Sequence, residues 1–111
     1  MTEVSERQIS RIVEIIVDAA EPEKIILFGS RASGAHQEGS DIDLLIVDSE
    51  PFNERRSRRK ELARLWRLLA SVPVAKDLLL YSRDEMDYWK DSLNHVVGRA
   101  LREGKVLYER S

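Results

Sequence analysis

Apolar residues recur every three to four positions at Ile9, Ile12, Val13, Ile16, Val17 and Ala20, a spacing that predicts a helix with one apolar stripe. Ser5 with Gln8 three residues on fits a capping box at its start, and Pro22 stops it. The period then changes. Lys24 to Phe28 (KIILF) is a short β-rich run ended by Gly29, read as a buried strand. Residues 29 to 40 (GSRASGAHQEGS) hold three glycines and three serines, which predicts a loop with room for one helical turn after Gly29. Asp41 to Val47 (DIDLLIV) reads as a second strand.

Pro51 and Asn53 open a second helix running to Ala70, with Leu62, Leu65, Trp66 and Leu69 as its apolar face. Pro73 separates it from a third strand, Val74 to Tyr81 (VAKDLLLY). Ser82 with Glu85 repeats the capping-box pattern and starts a helical stretch to Glu103, which a break near Asp91-Ser92 would divide in two. Gly104 fits the helix-end glycine position, and Lys105 to Glu109 (KVLYE) reads as a last strand. The order α-β-loop-β-α-β-α-β predicts an α/β (α+β) class, a small sheet of three to four strands packed against helices. One domain is expected over residues 1–111.

Composition acts mainly by exclusion. The chain has 111 residues, 42% of them hydrophobic, enough for one ordinary core. Its 18 Lys and Arg nearly cancel its 20 Asp and Glu, leaving −2 at pH 7. That balance argues against a globally basic coat or an acidic tail, so no direct nucleic-acid binding is expected. The absence of cysteine removes disulfides, a thiol nucleophile and a thiolate zinc site. No uninterrupted apolar run exceeds five residues, far short of the ~20 that span a bilayer. Met1-Thr2-Glu3-Val4 lacks the basic start and apolar stretch of a secretion signal. A soluble, cytoplasmic protein without a membrane partner is expected.

The second strand carries the candidate chemistry. Alternation puts Asp41 and Asp43 on one side, about 7 Å apart along the backbone, with Ile42, Leu44 and Ile46 on the other. Paired carboxylates on an apolar strand repel and resist desolvation, and a divalent cation such as magnesium or manganese is their natural counterweight. Lys76-Asp77 interrupts the third strand in the same way. Should that strand neighbour the second, Asp77 faces the same site, and three carboxylates form a ligand set for two-metal phosphoryl or nucleotidyl transfer. Upstream, Gly29 lets a phosphate approach the backbone, Ser30 offers donors, and Arg31 offers a forked cation. The plainer readings are a strand end with surface acids, and for Arg31 a salt bridge that holds the loop.

Phe28-Gly29-Ser30-Arg31-Ala32-Ser33-Gly34, followed by Gly39-Ser40-Asp41-Ile42-Asp43-Leu44, resembles the signature of the DNA polymerase β-like nucleotidyltransferases. The likeness is nearest to their minimal, stand-alone members and runs over nearly the whole chain. Ser33 stands where an arginine is common, and Lys76 is polar where apolar residues are frequent. The resemblance implies the polymerase β-like fold, metal-binding and catalytic roles for Asp41, Asp43 and Asp77, and triphosphate contacts at Gly29 and Ser30. It also implies ATP as nucleotide donor, Mg2+ or Mn2+ as cofactor, and AMP transfer to a tyrosine of an all-helical HEPN toxin, which makes this chain an antitoxin. The rival reading is a binding module that silences such a partner stoichiometrically.

Other conspicuous residues read more plainly. His36 in the loop and His95 on a helix are expected as ordinary surface or packing residues. Trp66, Tyr88 and Trp89 are expected in a core or interface. Between Glu54 and Arg67, seven basic residues face two acidic ones, a local +5 that leaves −7 elsewhere. A solvated face fits that run, and so does a surface that steers an acidic partner or grips RNA bound to that partner. The acidic stretch Asp84, Glu85, Asp87 and Asp91 offers the basic helix of a second copy a complement, so a homo-oligomer stays open.

Overall fold

A computed structural model of the chain describes residues 4–29 and 41–110. The first helix, α1 (Val4–Ala20), presents Ile12 and Ile16 to the core and ends as the chain turns through Glu21 at φ 46°. Ser5 lies inside this helix rather than ahead of it. After β1 (Lys24–Phe28) and β2 (Ile42–Asp48) come α2 (Arg58–Leu69), β3 (Lys76–Ser82), α3 (Arg83–Trp89), α4 (Val96–Glu103) and β4 (Lys105–Glu109). The strands form one mixed sheet in the order β3-β2-β1-β4. β2 pairs antiparallel with β1 and parallel with β3, while β4 pairs antiparallel with β1. The class is α+β, as the pattern predicts.

Side chains alternate across this sheet and divide the core into two. Ile25, Leu27, Ile42, Leu44, Ile46, Leu78 and Leu80 pack under α1 and α2. Ile26, Leu45 and Val47 pack with Met86 of α3 and Val97 and Ala100 of α4. Both faces are covered by helices, which is why β2 reads as an almost continuous apolar run. Among the described residues no helix is long and apolar enough to cross a membrane.

Several boundaries differ from the sequence pattern. β2 runs Ile42–Asp48 instead of Asp41–Val47, and β3 runs Lys76–Ser82 instead of Val74–Tyr81. α2 begins at Arg58, well after Pro51 and Asn53, because Asn53 closes a turn. Its side chain accepts from the Arg55 and Arg56 amides at 2.9 and 3.1 Å, and its backbone exchanges bonds with Arg56. Ser57 then caps the helix by accepting from Lys60 N–H at 3.2 Å.

The break after α3 is present. Ser92 N–H reaches Trp89 O at 3.0 Å, Ser92 Oγ accepts from His95 N–H at 3.1 Å, and His95 Nδ1 accepts from Val97 N–H at 3.1 Å to cap α4. Gly104 closes α4 in an extended conformation. A Cβ there would lie 2.4 Å from Ala100 O and 2.6 Å from Ile26 Cγ2, so close approach, not a left-handed turn, requires glycine.

Candidate active site

The carboxyl end of β1 meets the amino ends of β2 and β3, and the unusual polar residues of the chain gather there. Ile42 N–H donates to Ala75 O at 3.0 Å, which ties the entry of β2 to the entry of β3. The parallel register then sets Asp43 directly beside Asp77, one strand spacing apart, about 4.8 Å. Both follow the alternation of Leu45 and Leu79 and so belong to the α3/α4 face. Asp43 is partly buried, and Asp77 and Asp41 are exposed. Asp41 lies just ahead of β2, two residues from Asp43 and on the same side.

β1 closes the site from the other flank. Phe28, partly buried, is in register with Asp43. Gly29 has φ 79°, a conformation glycine adopts without penalty. A Cβ on Gly29 would stand 2.5 Å from Asp43 Oδ2. The glycine therefore serves two ends at once, turning the chain and leaving room for a carboxylate. In the sequence Phe28 is only the end of the strand and the first residue of the loop signature, and the register is what brings it to the acid.

Burial is the largest cause, followed by the charges of Asp77 and Asp41, in raising the Asp43 pKa above the ordinary carboxylate value. The group is thus held against desolvation and against two like charges. Paired hard-oxygen donors with a third carboxylate upstream match the donor chemistry of magnesium or manganese, so these residues fit such an ion. Among the described residues no three His, Cys, Asp or Glu side chains are drawn together into a ready-made cation site. Asp43 and Asp77 are the two acids that the sheet register itself sets side by side. Ser30 and Arg31, the expected phosphate contacts, lie outside the described residues, as do His36 and the loop between them.

Lys76, adjacent to Asp77, points the other way. Its Nζ donates to Val72 O at 2.9 Å and Val74 O at 3.2 Å, and it lies 5.8 Å from the centre of the Trp66 ring. Its polarity is absorbed under α2 and does not neutralise the acids. The remaining aromatic and histidine residues are distant in role. Trp89 stacks on His95 with centroids 3.9 Å apart, and Tyr81 meets the same imidazole edge-on. Trp66 is 37% exposed and Tyr88 77%, so Tyr88 is a surface residue and not part of the core. The buried acid Asp48, at the far end of β2, is an ion-pair partner of Arg56.

A family model described as polymerase beta, nucleotidyltransferase, matches residues 10–111. No curated protein sequence matches the chain. Among solved structures, it is similar to a candidate nucleotidyltransferase from Sulfolobus solfataricus, at 21% identity and TM-score 0.66, covering 94% of this chain and 79% of that one. It is also similar to a chain of a toxin–antitoxin complex with AMP-PNP, at 23% identity and TM-score 0.59, covering 92% and 73%. A third likeness is to a complex of a tri-AMPylated Shewanella oneidensis HEPN toxin with MNT antitoxin, at 18% identity and TM-score 0.54, covering 95% and 72%.

Proposed function

Because this chain belongs to the polymerase β nucleotidyltransferase family, we propose that it moves AMP from ATP to a hydroxyl of a helical HEPN-type partner protein and so acts as its antitoxin. The observation that carries this reading is the side-by-side register of Asp43 and Asp77, with Gly29 opened against the Asp43 carboxylate. Two fold neighbours support the choice of nucleotide and partner, since one contains AMP-PNP and the other a tri-AMPylated HEPN toxin.

In this reading Asp41, Asp43 and Asp77 hold Mg2+ or Mn2+, which when bound neutralises triphosphate charge and acidifies the acceptor hydroxyl. Gly29 and Ser30 receive the triphosphate on backbone N–H groups and a hydroxyl, and Arg31 steadies its outer phosphates. The acceptor oxygen attacks the α-phosphorus, the bond to the bridging oxygen breaks, and pyrophosphate leaves. Asp77, the more exposed of the pair, takes the acceptor proton. Rate in such a site comes from positioning and charge neutralisation, so loss of one carboxylate costs orders of magnitude.

The test is intact-mass spectrometry of the helical partner after incubation with this protein, Mg2+ and each of ATP, GTP, CTP and UTP. A gain of one or more AMP masses, at substoichiometric enzyme and absent with Asp43→Asn, is the expected result. A tight complex without any mass change would replace the transferase with a stoichiometric blocker.

A further inference from the structure

The balanced net charge conceals a strongly basic groove. Along the solvent side of α2, on the sheet face opposite Asp43 and Asp77, a groove of about 480 Å³ is lined by Arg55, Lys60, Glu61, Ala63, Arg64 and Arg67, among others. Some of its charge is already committed: Arg64 binds Glu61 and donates to Ala19 O at 2.8 Å, and Arg56 binds Asp48. Arg55, Lys60 and Arg67 make no ion pair among the described residues, and neither does Arg59 on the flank. Lys60 and Arg67 lie seven residues apart on one helix, about 10 Å along its axis.

The acidic stretch of a second copy is a poor match for this groove. Of its four acids, Glu85 is used within its own chain, in the capping box of α3 and in an ion pair with Arg58, and Asp87 lies 4.0 Å from Arg83, which leaves only Asp84 and Asp91 without an ion pair among the described residues. A folded protein surface fits no better. Protein interfaces concentrate binding in an apolar, often aromatic centre with charges at the rim, and among the described residues the only apolar side chain lining this groove is Ala63. What remains is a ligand bound through repeated charge alone. Guanidinium forks suit phosphate oxygens, and a strand's backbone supplies them at regular spacing.

We propose that the α2 groove binds the phosphodiester backbone of a nucleic-acid strand, without reading its bases. The expectation of no nucleic-acid binding rested on the summed charge, whereas binding depends on where the charge is placed. Among the described residues the lining carries no aromatic side chain, so bases gain no stacking platform there.

The experiment is fluorescence anisotropy of the full chain with labelled 20-nucleotide RNA and DNA of one sequence, without nucleotide or divalent cation. Its outcome is therefore independent of transferase activity. Binding is expected in the range of roughly 10⁻⁴ to 10⁻⁶ M, weakening with salt at about 0.7 log units per contacted phosphate. Three free cations give a slope near −2. The Lys60→Gln, Arg67→Gln pair should weaken binding at least tenfold and flatten the slope by about 1.4. The control pair Lys90→Gln, Lys105→Gln, of equal net charge and exposed on other elements, should leave it unchanged, with circular dichroism checking both folds. Equal affinity for RNA and DNA identifies the bare backbone, and preference for RNA adds a contact to the 2′-hydroxyl. No binding by the wild-type chain at 50 mM salt, equal loss in both pairs, or stronger binding of an acidic peptide overturns the proposal.

Discussion

Asp43 is held in the folded chain beside Asp77, near Asp41, and against the bare Cα of Gly29. Its pKa is raised on folding, so the native state binds a proton more readily than the unfolded chain does. The sign follows from linkage: relative to neutrality, ionised Asp43 destabilises the fold, and acidification through its folded and then its unfolded pKa removes that penalty. Asp43→Asn should therefore melt higher than wild type at pH 7 in a chelating buffer. The gain should vanish below the ordinary carboxylate range. Thermal melts followed by circular dichroism at both pH values check this, and a lower melting point at pH 7 would count against it. The same substitution should abolish transfer, the pattern expected where a residue serves chemistry at the expense of stability.

At the scale of elements, the caps decide where helices begin. Ser82 ends β3 and starts α3, accepting from Glu85 N–H at 3.2 Å while Glu85 accepts from Ser82 N–H at 2.9 Å. This reciprocal pair was legible from Ser82 and Glu85 three positions apart. Ser57 is masked as a cap in the sequence, because the Pro51 and Asn53 turn signals precede it and a turn residue looks like a cap until its partners are known. Ser57→Ala should cost about 1 kcal/mol. Ser82→Ala should cost more, up to ~2 kcal/mol, because Ser82 is only 2% exposed and its loss strands the Glu85 amide. Urea titration of the two variants orders them, and the reverse order would remove the buried capping box as the stronger device.

For the whole molecule, the sheet separates two apolar clusters that share only its backbone. Leu65→Ala under α2 and Met86→Ala under α3 should each lose about 2–5 kcal/mol, and their effects should add to within about 0.5 kcal/mol. Denaturant unfolding of the singles and the double measures the coupling, and a large interaction term would mean the two layers respond as one. Periodicity alone determined α1, β1, β4, the two-piece helical stretch and the acid-bearing strand, since those features depend on neighbours in the chain. It could not decide the strand order or the parallel register that sets Asp43 beside Asp77. Each of those joins residues distant in sequence, and only packing against both faces of the sheet chooses among the pairings that alternation allows.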